Sequence, residues 1–208
     1  MVYLKDGHKP IHYALFDIGN TLLDYNPSHI MESFGIPQER IPRMREIITD
    51  RPEWDEYDRG VLTARDIERL AIREEPTWRH EIKHYLRHWW EVFPAIVPNV
   101  QTFYRLKEAG VKTYILSNYM DDGFAYARAH NAFLNDFDGE MISYQYQVNK
   151  PDPRIYELLL EKYPEIVPDE TVYFDDIKRN TDAALPFGFH AVNIPLNGPL
   201  DVYLEFED

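Results

Sequence analysis

The chain has 208 residues, of which 44% are apolar and 14% aromatic, so it is long and apolar enough to fold around a substantial core. Its formal net charge of −14, from 22 basic and 36 acidic residues, argues against nucleic-acid and anionic-membrane partners. Cysteine is absent, which excludes disulfides and thiolate sites, and the lack of a membrane-length apolar stretch or signal-peptide core predicts a cytoplasmic protein.

The first informative segment is an apolar run that ends on a carboxylate. Apolar residues 13–16, followed by Asp17 and a loop with Gly19 and Asn20, predict a buried parallel strand that delivers the carboxylate to a tight loop. The C-terminal edge of such a sheet is where α/β proteins bind ligands. Strands also end in Asp as plain turn chemistry, so this segment alone leaves both interpretations open.

The next part of the chain, residues 27–93, is predicted to be helical throughout. Ser28 is expected to cap a short helix, and the Thr-Ala-Arg-Asp sequence at residues 63–66 resembles a capping box. A longer helix is expected to begin near Thr77, because apolar residues recur at helical spacing through residues 78–92.

From Asn99 onward the chain alternates helices and strands. Asn99 is expected to cap a helix that Gly110 ends. Strands are predicted at residues 113–116, 140–143, 171–174 and 190–194, and helices at 100–109, 122–130, 153–163 and from about 180. This alternation predicts an α/β protein with a doubly wound parallel sheet. Residues 1–24 and 95–208 would form the core, with residues 25–94 inserted as a helical module.

Three later strand ends or loops carry polar groups, as the first does. They are Ser117 and Asn118, then Lys150 before a helix N-terminus, then Asp175 and Asp176 with Asn180 close behind. Each alone has a plain interpretation as turn chemistry or a surface residue. The carboxyl ends of parallel strands lie on one edge of the sheet, so their joint appearance favours a single site.

Such a site points to a metal ion and a phosphate. Crowded carboxylates repel one another unless a cation compensates them, and oxygen ligands without His or Cys favour Mg²⁺. Ser117, Lys150 and the backbone N–H groups near Gly19 suit phosphate oxygens. Asp17 would then place one oxygen on the metal and attack phosphorus with the other, forming an aspartyl-phosphate.

These segments resemble, in order, the four motifs of the haloacid dehalogenase (HAD) superfamily. The matching residues are Asp17-Ile18-Gly19-Asn20-Thr21, Ser117-Asn118, Lys150-Pro151, and Asp175-Asp176 with Asn180. The resemblance covers nearly the whole chain except about ten residues at each end, and implies a Rossmann-like core with a helical cap at residues 25–94. The first two motifs also look like the branch that contains sugar-1-phosphate phosphatases such as α-D-glucose-1-phosphate phosphatase.

The resemblance implies a Mg²⁺-dependent phosphatase for a small phosphorylated metabolite, with a hexose phosphate as the first expectation. Asp17 would be nucleophile and metal ligand, Gly19 a ligand through its carbonyl, Asp176 the main ligand of the fourth motif, and Asp175 a ligand directly or through water. Ser117, Asn118, Asn20 and Lys150 would bind the phosphoryl group, and Lys150 would also keep Asp17 ionised. A monomer and a homodimer both fit the sequence.

One position departs from the family pattern. Most phosphatases of the superfamily carry a second Asp, as general acid and base, where this chain has Gly19. General acid–base catalysis is worth about 10²–10⁴ in rate. The leaving group is then an easy one, or a cap residue, a substrate hydroxyl or water supplies the proton, or the chain is a weak or silent metal- and phosphate-binding protein.

Other activities of the superfamily fit less well. A dehalogenase needs no metal cluster, whereas this chain keeps both Asp175 and Asp176, and a phosphomutase would need the second Asp that Gly19 replaces. A phosphoryl-accepting regulator would not need a cap.

Two groups of side chains in the helical module allow two interpretations each. His80, His84 and His88 share one helix face, as in a Zn²⁺ or Ni²⁺ site, but this face lies opposite the apolar stripe, so a solvated face is favoured. One or more of the four tryptophans could line the pocket and stack on a sugar or belong to the packing of the module: Trp54, Trp78, Trp89 and Trp90.

Overall fold

The computed structural model describes residues 1–207 and places eight strands in two sheets. In chain order the strands are β1 (Val2–Leu4), β2 (Lys9–Pro10), β3 (Tyr13–Phe16), β4 (Lys112–Ser117), β5 (Gly139–Ile142), β6 (Thr171–Asp175), β7 (His190–Asn193) and β8 (Leu204–Phe206). The larger sheet is parallel with the order β5-β4-β3-β6-β7, and the smaller is antiparallel with the order β2-β1-β8. The predicted α/β class with a doubly wound parallel sheet is confirmed.

The helices join these strands, and six of the ten that the structure shows in residues 1–207 lie between β3 and β4. In chain order they are α1 (Pro27–Ser33), α2 (Ile41–Ile48), α3 (Pro52–Asp58), α4 (Ala64–Glu74), α5 (Arg79–His88), α6 (Val97–Glu108), α7 (Asp121–His130), α8 (Ser143–Tyr146), α9 (Pro153–Lys162) and α10 (Lys178–Ala184). We call α1 to α5 and their connections, residues 27–92, the helical segment. None of the helices in residues 1–207 combines the length and apolarity needed to cross a bilayer.

The central strand β3 is buried on both faces. Alternate residues of a strand point to opposite sides, and Phe16 accordingly packs with Phe103 of α6 in one apolar cluster, while Leu15 packs with Ile155 and Leu159 of α9 in another. Each fully buried side chain of this size contributes about 1.5–3 kcal/mol through the hydrophobic effect. Helices on both faces thus fix the sheet and leave its edges to carry polar groups.

The strand register brings Asp17, Ser117 and Asp175 to one end of the sheet. Phe16 is paired with Ile115 of β4 and with Phe174 of β6. The backbone N–H of the next residue, Asp17, donates to the Phe174 carbonyl at 3.0 Å. Asp17 therefore lies beside the ends of both neighbouring strands, where β4 and β6 finish.

The helical segment follows the predicted capping chemistry in part. Thr63 and Asp66 form the predicted capping box: the Asp66 N–H donates to the Thr63 hydroxyl at 3.3 Å and the Thr63 N–H to the Asp66 carboxylate at 2.9 Å. The expectation for Ser28 is wrong, because Asn26 caps α1 and Pro27 occupies its first position. The longer helix begins at Arg79, after a 3₁₀ turn that contains Thr77.

Asn99 is not the cap of α6, which begins two residues earlier at Val97. Pro98, with its fixed φ, suits the first turn of that helix and moves the start upstream. The buried Asn99 amide instead donates to the carbonyls of Thr21 at 2.8 Å and Gly198 at 2.9 Å. Its oxygen accepts the Leu200 N–H at 3.2 Å, so Asn99 ties the loop after β3 to the C-terminal region.

The small antiparallel sheet was not predicted. Its strands are two or three residues long and pair the two ends of the chain, with Leu4 opposite Leu204. So short a strand shows no alternation over several residues, which is the signal that identifies strands in a sequence.

Candidate active site

Three carboxylates converge at the C-terminal edge of the parallel sheet. Asp17 follows β3, Asp175 ends β6, and Asp176 comes next in the chain. One oxygen atom from each of the three lies within 4.8 Å of the other two. Asp17 and Asp175 are buried, and Asp176 is half-buried. The sequence predicted this convergence from strand ends alone.

Lys150 provides a buried positive charge to this group. Its Nζ atom lies 2.9 Å from Asp17 Oδ1 and 2.6 Å from Asp175 Oδ2, and it donates to the Leu116 carbonyl at 2.8 Å. Burial alone would lower the pKa of Lys150, but the charges of Asp17 and Asp175 outweigh it and raise the pKa, so the ammonium stays protonated. One ammonium facing three carboxylates leaves an excess of negative charge.

Asn118 positions the lysine through the backbone. The Lys150 N–H donates to Asn118 Oδ1 at 2.7 Å, and Asn118 Nδ2 donates to the Lys150 carbonyl at 3.0 Å. Both ends of the amide are engaged in this way. Asn118 therefore connects the loop after β4 to the loop before α9, and it also lines the cavity described below.

Asp17 is oriented by two donors on one oxygen. The Ser117 hydroxyl donates to Asp17 Oδ1 at 2.6 Å, and Lys150 approaches the same atom. Burial raises the pKa of Asp17 to about 7, and the nearby charges of Asp175 and Asp176 add to the rise, while Lys150 and Ser117 oppose it. Additional positive charge beside this carboxyl would favour its ionised form.

Asp175 is fully enclosed by donors. Its Oδ1 accepts the Ile177 N–H at 2.8 Å, and its Oδ2 accepts from Lys150 and from the Tyr173 hydroxyl. Asn180 Nδ2 lies 3.1 Å from both oxygens. Asp175 is thus held within the sheet edge, with its oxygens occupied by protein donors.

Asp176, in contrast, lines the cavity. Asn20 Nδ2 donates to Asp176 Oδ2 at 3.1 Å, and Asn20 Oδ1 accepts the Tyr25 N–H at 3.0 Å. Burial raises the pKa of Asp176, the Asn20 hydrogen bond lowers it, and the adjacent Asp175 charge raises it further. The Asn20 amide is engaged at both ends, so it fixes the loop after β3 against the loop after β6.

A cavity of about 320 Å³ lies between these groups and the helical segment. Its floor includes Asp17, Gly19, Asn20, Asn118, Lys150, Asp176 and Asn180. The helical segment and its flanks contribute aromatic residues, namely Tyr25, Trp54, Trp89 and Phe93, and polar residues, namely Arg45, Thr49, Asp50, Asp55 and Asp58. Of the four tryptophans considered from the sequence, Trp54 and Trp89 line the cavity.

The three histidines of α5 lie away from this cavity. His80 and His84 are exposed, and His88 is half-buried with its Nδ1 2.8 Å from a Glu91 oxygen. Across residues 1–207, their ring nitrogens do not converge as a group of three metal ligands. This agrees with the solvated face that the apolar stripe of α5 favoured.

Several residues of the site carried no signal in the sequence. Tyr173 lies between Val172 and Phe174 in β6 and has the sequence context of a core residue. Only the fold shows that its hydroxyl donates to Asp175. Asp58, at the end of α3, and Tyr119, after β4, both line the cavity. Polar residues of helices have no fixed spacing relative to strand ends, so no sequence rule pairs them with the site.

Comparison with known proteins identifies the family. The family model described as haloacid dehalogenase-like hydrolase matches residues 11–188, which contain all of the polar strand ends described above. No curated protein matches the sequence.

Solved structures share the fold at low sequence identity. A HAD family enzyme from Bacteroides thetaiotaomicron, in complex with magnesium and inorganic phosphate, is 19% identical over 92% of this chain and 98% of its own, with a TM-score of 0.73. A protein described as a dehalogenase is 22% identical over 88% of this chain and 84% of its own, with a TM-score of 0.70.

An L-2-haloacid dehalogenase from Xanthobacter autotrophicus, with chloropropionic acid covalently bound, is 16% identical over 88% of this chain and 77% of its own, with a TM-score of 0.64. These likenesses show a shared fold for proteins of different named activities. Because the family model spans most of its length, the chain belongs to the haloacid dehalogenase-like hydrolases, a family of enzymes.

Proposed function

We propose that the protein is a Mg²⁺-dependent phosphomonoester hydrolase for a small phosphorylated metabolite, acting through an aspartyl-phosphate on Asp17. The observation that carries the proposal is the convergence of Asp17, Asp175 and Asp176 around a single Lys150 at the floor of a cavity. These four charged groups carry a net charge of about −2 when all are ionised, so they require a cation.

The residues present fit Mg²⁺. The available ligand atoms are oxygens, which suit a hard divalent cation that keeps several waters and takes one or two carboxylates. Asp17, Asp176 and the Gly19 carbonyl are the ligands we propose, because all three residues line the cavity. Asp175 has its oxygens occupied by protein donors, so we assign it to the metal through water only. The bound ion would neutralise charge on the phosphoryl oxygens.

The chain's own residues would carry the chemistry. One Asp17 oxygen is free of the donors that fix Oδ1, and we assign the attack on phosphorus to this carboxylate. Ser117 and Lys150 lie within hydrogen-bond reach of Asp17, where a phosphoryl group would sit, and they supply donors to its oxygens. Asn118 would assist phosphate binding with its backbone N–H group, since its side chain holds a neighbouring loop. The Asn20 backbone N–H donates to the Leu23 carbonyl at 2.7 Å, so we assign Asn20 to the shaping of the phosphate-binding loop.

We further propose that the helical segment is a cap that encloses the substrate. The cavity of about 320 Å³ lies at the small end of the range for ligand pockets, about 300–1,000 Å³, which suits a sugar phosphate rather than a polymer. Trp54 and Trp89 offer aromatic surfaces on which a sugar ring can stack, and Arg45 and Thr49 offer donors to its hydroxyls. A hexose phosphate is the first candidate, in keeping with the likeness of the first two motifs to the glucose-1-phosphate phosphatase branch.

Two rival functions follow from particular observations. Gly19 in place of an acid motivates a silent protein that binds metal and phosphate without turnover. Structural neighbours named as dehalogenases motivate an attack of Asp17 on a carbon–halogen bond. The excess negative charge at the cavity floor disfavours the second, because a haloacid is an anion without the phosphate group that a metal ion would bind.

A substrate panel separates the three functions. Phosphate release from sugar phosphates and other phosphomonoesters is measured with Mg²⁺, with Mn²⁺ and with EDTA, and halide release is measured from 2-chloropropionate. We expect metal-dependent phosphate release that Asp17→Asn abolishes. The matched control is Asp182→Asn, an exposed carboxylate paired with Lys178 on α10, which should retain activity.

The results that would overturn the proposal are equally specific. Phosphate release by the folded Asp17→Asn variant at the wild-type rate would show that Asp17 is not the nucleophile. Magnesium binding by calorimetry without turnover of any ester would support the silent protein. Halide release without phosphate release would support the dehalogenase.

A further inference from the structure

The cavity contains one carboxylic acid that the proposed reaction has not yet used. Asp58 is the last residue of α3, is half-buried, and lines the cavity from the helical segment. Asp17 and Asp176 line the same cavity from the sheet edge. Attack on phosphorus proceeds in line, so the leaving oxygen points away from Asp17 and into the cavity that Asp58 also lines.

The other ionisable groups of the cavity are less suited to donate a proton. Asp50 is exposed, and its carboxylate is paired with Arg45 at 3.0 Å. Asp55 is exposed, one turn before Asp58 on the same helix. Lys150 already contacts two carboxylates and a carbonyl.

Asp58 differs from these in its surroundings. Within residues 1–207 no Lys, Arg or His lies at ion-pair distance from its carboxyl. Burial raises the pKa of Asp58 well above its ordinary value, and the charges of Asp55 and Asp17 raise it further, while Lys150 opposes the rise. The titratable or charged groups that surround it come from three places. Its own helix contributes Asp55 and Tyr57, the sheet edge and its loops contribute Asp17, Tyr119 and Lys150, and the helical segment and its flanks contribute Tyr25, Arg45 and Asp50.

The position of Asp58 is fixed by the core. The buried Ser143 hydroxyl donates to the Asp58 carbonyl at 2.6 Å and accepts the Tyr119 N–H at 2.9 Å. Asn149, next to Lys150 in the chain, donates to the Asp55 carbonyl at 2.8 Å. The last turn of α3 is thereby hydrogen-bonded to both loops that carry phosphate-binding candidates.

We propose that Asp58 is the general acid and base of the reaction, which rests on the phosphatase function proposed above. When an Asp17 oxygen forms a bond to phosphorus, the bond from phosphorus to the leaving oxygen breaks, and that oxygen takes its electron pair and the proton of Asp58. The products of this step are the free alcohol, the aspartyl-phosphate on Asp17 and the Asp58 carboxylate.

The second half-reaction returns the proton. The Asp58 carboxylate takes a proton from a water molecule whose oxygen attacks phosphorus, and the bond from phosphorus to the Asp17 oxygen breaks. Inorganic phosphate leaves, Asp17 is again a carboxylate, and Asp58 is again protonated. Asp58 therefore acts on the leaving group first and on water afterwards.

Leaving-group dependence tests this assignment. The value of kcat/KM reports the steps up to departure of the leaving group. An aliphatic phosphomonoester needs a proton on its leaving oxygen, whereas the p-nitrophenolate of p-nitrophenyl phosphate leaves without one. For Asp58→Asn we expect kcat/KM to fall about 100-fold or more on the aliphatic ester and to stay near the wild-type value on p-nitrophenyl phosphate.

Three further readouts support the comparison. Asp58→Asn should show a burst of p-nitrophenol and accumulate a covalent phosphoprotein detectable by mass after acid quench, because hydrolysis of the aspartyl-phosphate lacks its base. It should also lose the basic limb of the pH profile of kcat/KM on the aliphatic ester. The matched control Glu53→Gln, from the same helix but outside the cavity lining, should leave both substrates unaffected, and thermal scans should show that both variants fold.

The outcomes distinguish the two proposals. Equal loss on both substrates, or no loss on the aliphatic ester, would overturn the role of Asp58 and leave the phosphatase intact. Selective loss on the aliphatic ester in Tyr119→Phe rather than in Asp58→Asn would move the role to the neighbouring buried hydroxyl. Absence of turnover by the wild-type protein on every ester would overturn both proposals.

Discussion

Replacement of Lys150 by methionine isolates the charge at the centre of the site. The lysine is only 2% exposed and its Nζ lies between Asp17 and Asp175 at 2.9 and 2.6 Å. Methionine keeps an unbranched apolar stem of similar length and removes the ammonium. The variant therefore leaves two buried carboxylates without their cation and leaves the Leu116 carbonyl without its donor.

The expected loss follows from the cost of an unpaired buried charge. Removal of one partner of a buried ion pair destabilises a protein by about 3–5 kcal/mol. In a chain of this size 1 kcal/mol shifts the melting temperature by about 2–4 °C, so Lys150→Met should lower it by roughly 6–20 °C. Lys150 holds the pKa of Asp17 down, so its loss raises that pKa further. Protonation of Asp17 then relieves the repulsion as the pH falls, and the deficit should be smaller at about pH 5 than at about pH 8.

Thermal denaturation in EDTA at the two pH values measures the effect. The matched control is Lys178→Met, because Lys178 is exposed and pairs with Asp182 on the surface of α10. A surface pair of this kind contributes less than about 1 kcal/mol. A melting temperature for Lys150→Met equal to that of the control, or a deficit that does not change with pH, would refute the account of Lys150 as the buried counter-charge.

Three other predictions test the site and its support. Mg²⁺ at about 100 times its Kd should stabilise the wild type and Asp182→Asn by ~2.7 kcal/mol in thermal scans, and Asp176→Asn much less; equal shifts would contradict the assigned ligand. Asn99→Ala loses three buried hydrogen bonds and should cost at least ~2 kcal/mol in urea denaturation, and a cost below ~1 kcal/mol would count against the observed network. In EDTA, the stability of Asp17→Asn relative to the wild type should increase as the pH rises from about 4 to 7. Over this range Asp17 ionises in the unfolded wild type but stays protonated in the folded state, where its pKa is about 7, so the wild type loses stability; a difference that does not change with pH would disprove that shift.

The parallel sheet and the polar residues at its edge were predictable because short local sequence patterns indicate both. Buried strands appear in a sequence as short apolar runs, and β3, β4 and β6 each run directly into the polar residues of the site. A parallel arrangement then requires their carboxyl ends to meet. The sequence thus placed Asp17 and Asp175 on one edge, and the strand order, in which β6 pairs with β3, brings them into contact distance of Lys150.

The different environments of the adjacent carboxylates Asp175 and Asp176 were not predictable from the sequence. Asp175 and Asp176 are chemically identical, and only the fold shows that the first accepts from Tyr173 and Lys150 inside the sheet while the second lines the cavity. Asn99 illustrates the same limit. Its position before a helical pattern suggested a cap, but partners about 80 to 100 residues away in sequence decided its role.

The glycine at position 19 is not imposed by the backbone. A Cβ atom there would meet only the Tyr25 Cβ, at 3.8 Å, which is an ordinary van der Waals contact. The loop after β3 therefore has room for a Cβ atom at this position, so backbone sterics do not account for the glycine. Under our proposal the acid is instead on α3, where Ser143 and Asn149 fix it relative to the core. Because Asp58 belongs to the helical segment, proton transfer would depend on the position of this segment relative to the sheet edge. Residues of the same segment line the substrate cavity, so substrate binding and proton transfer would be coupled.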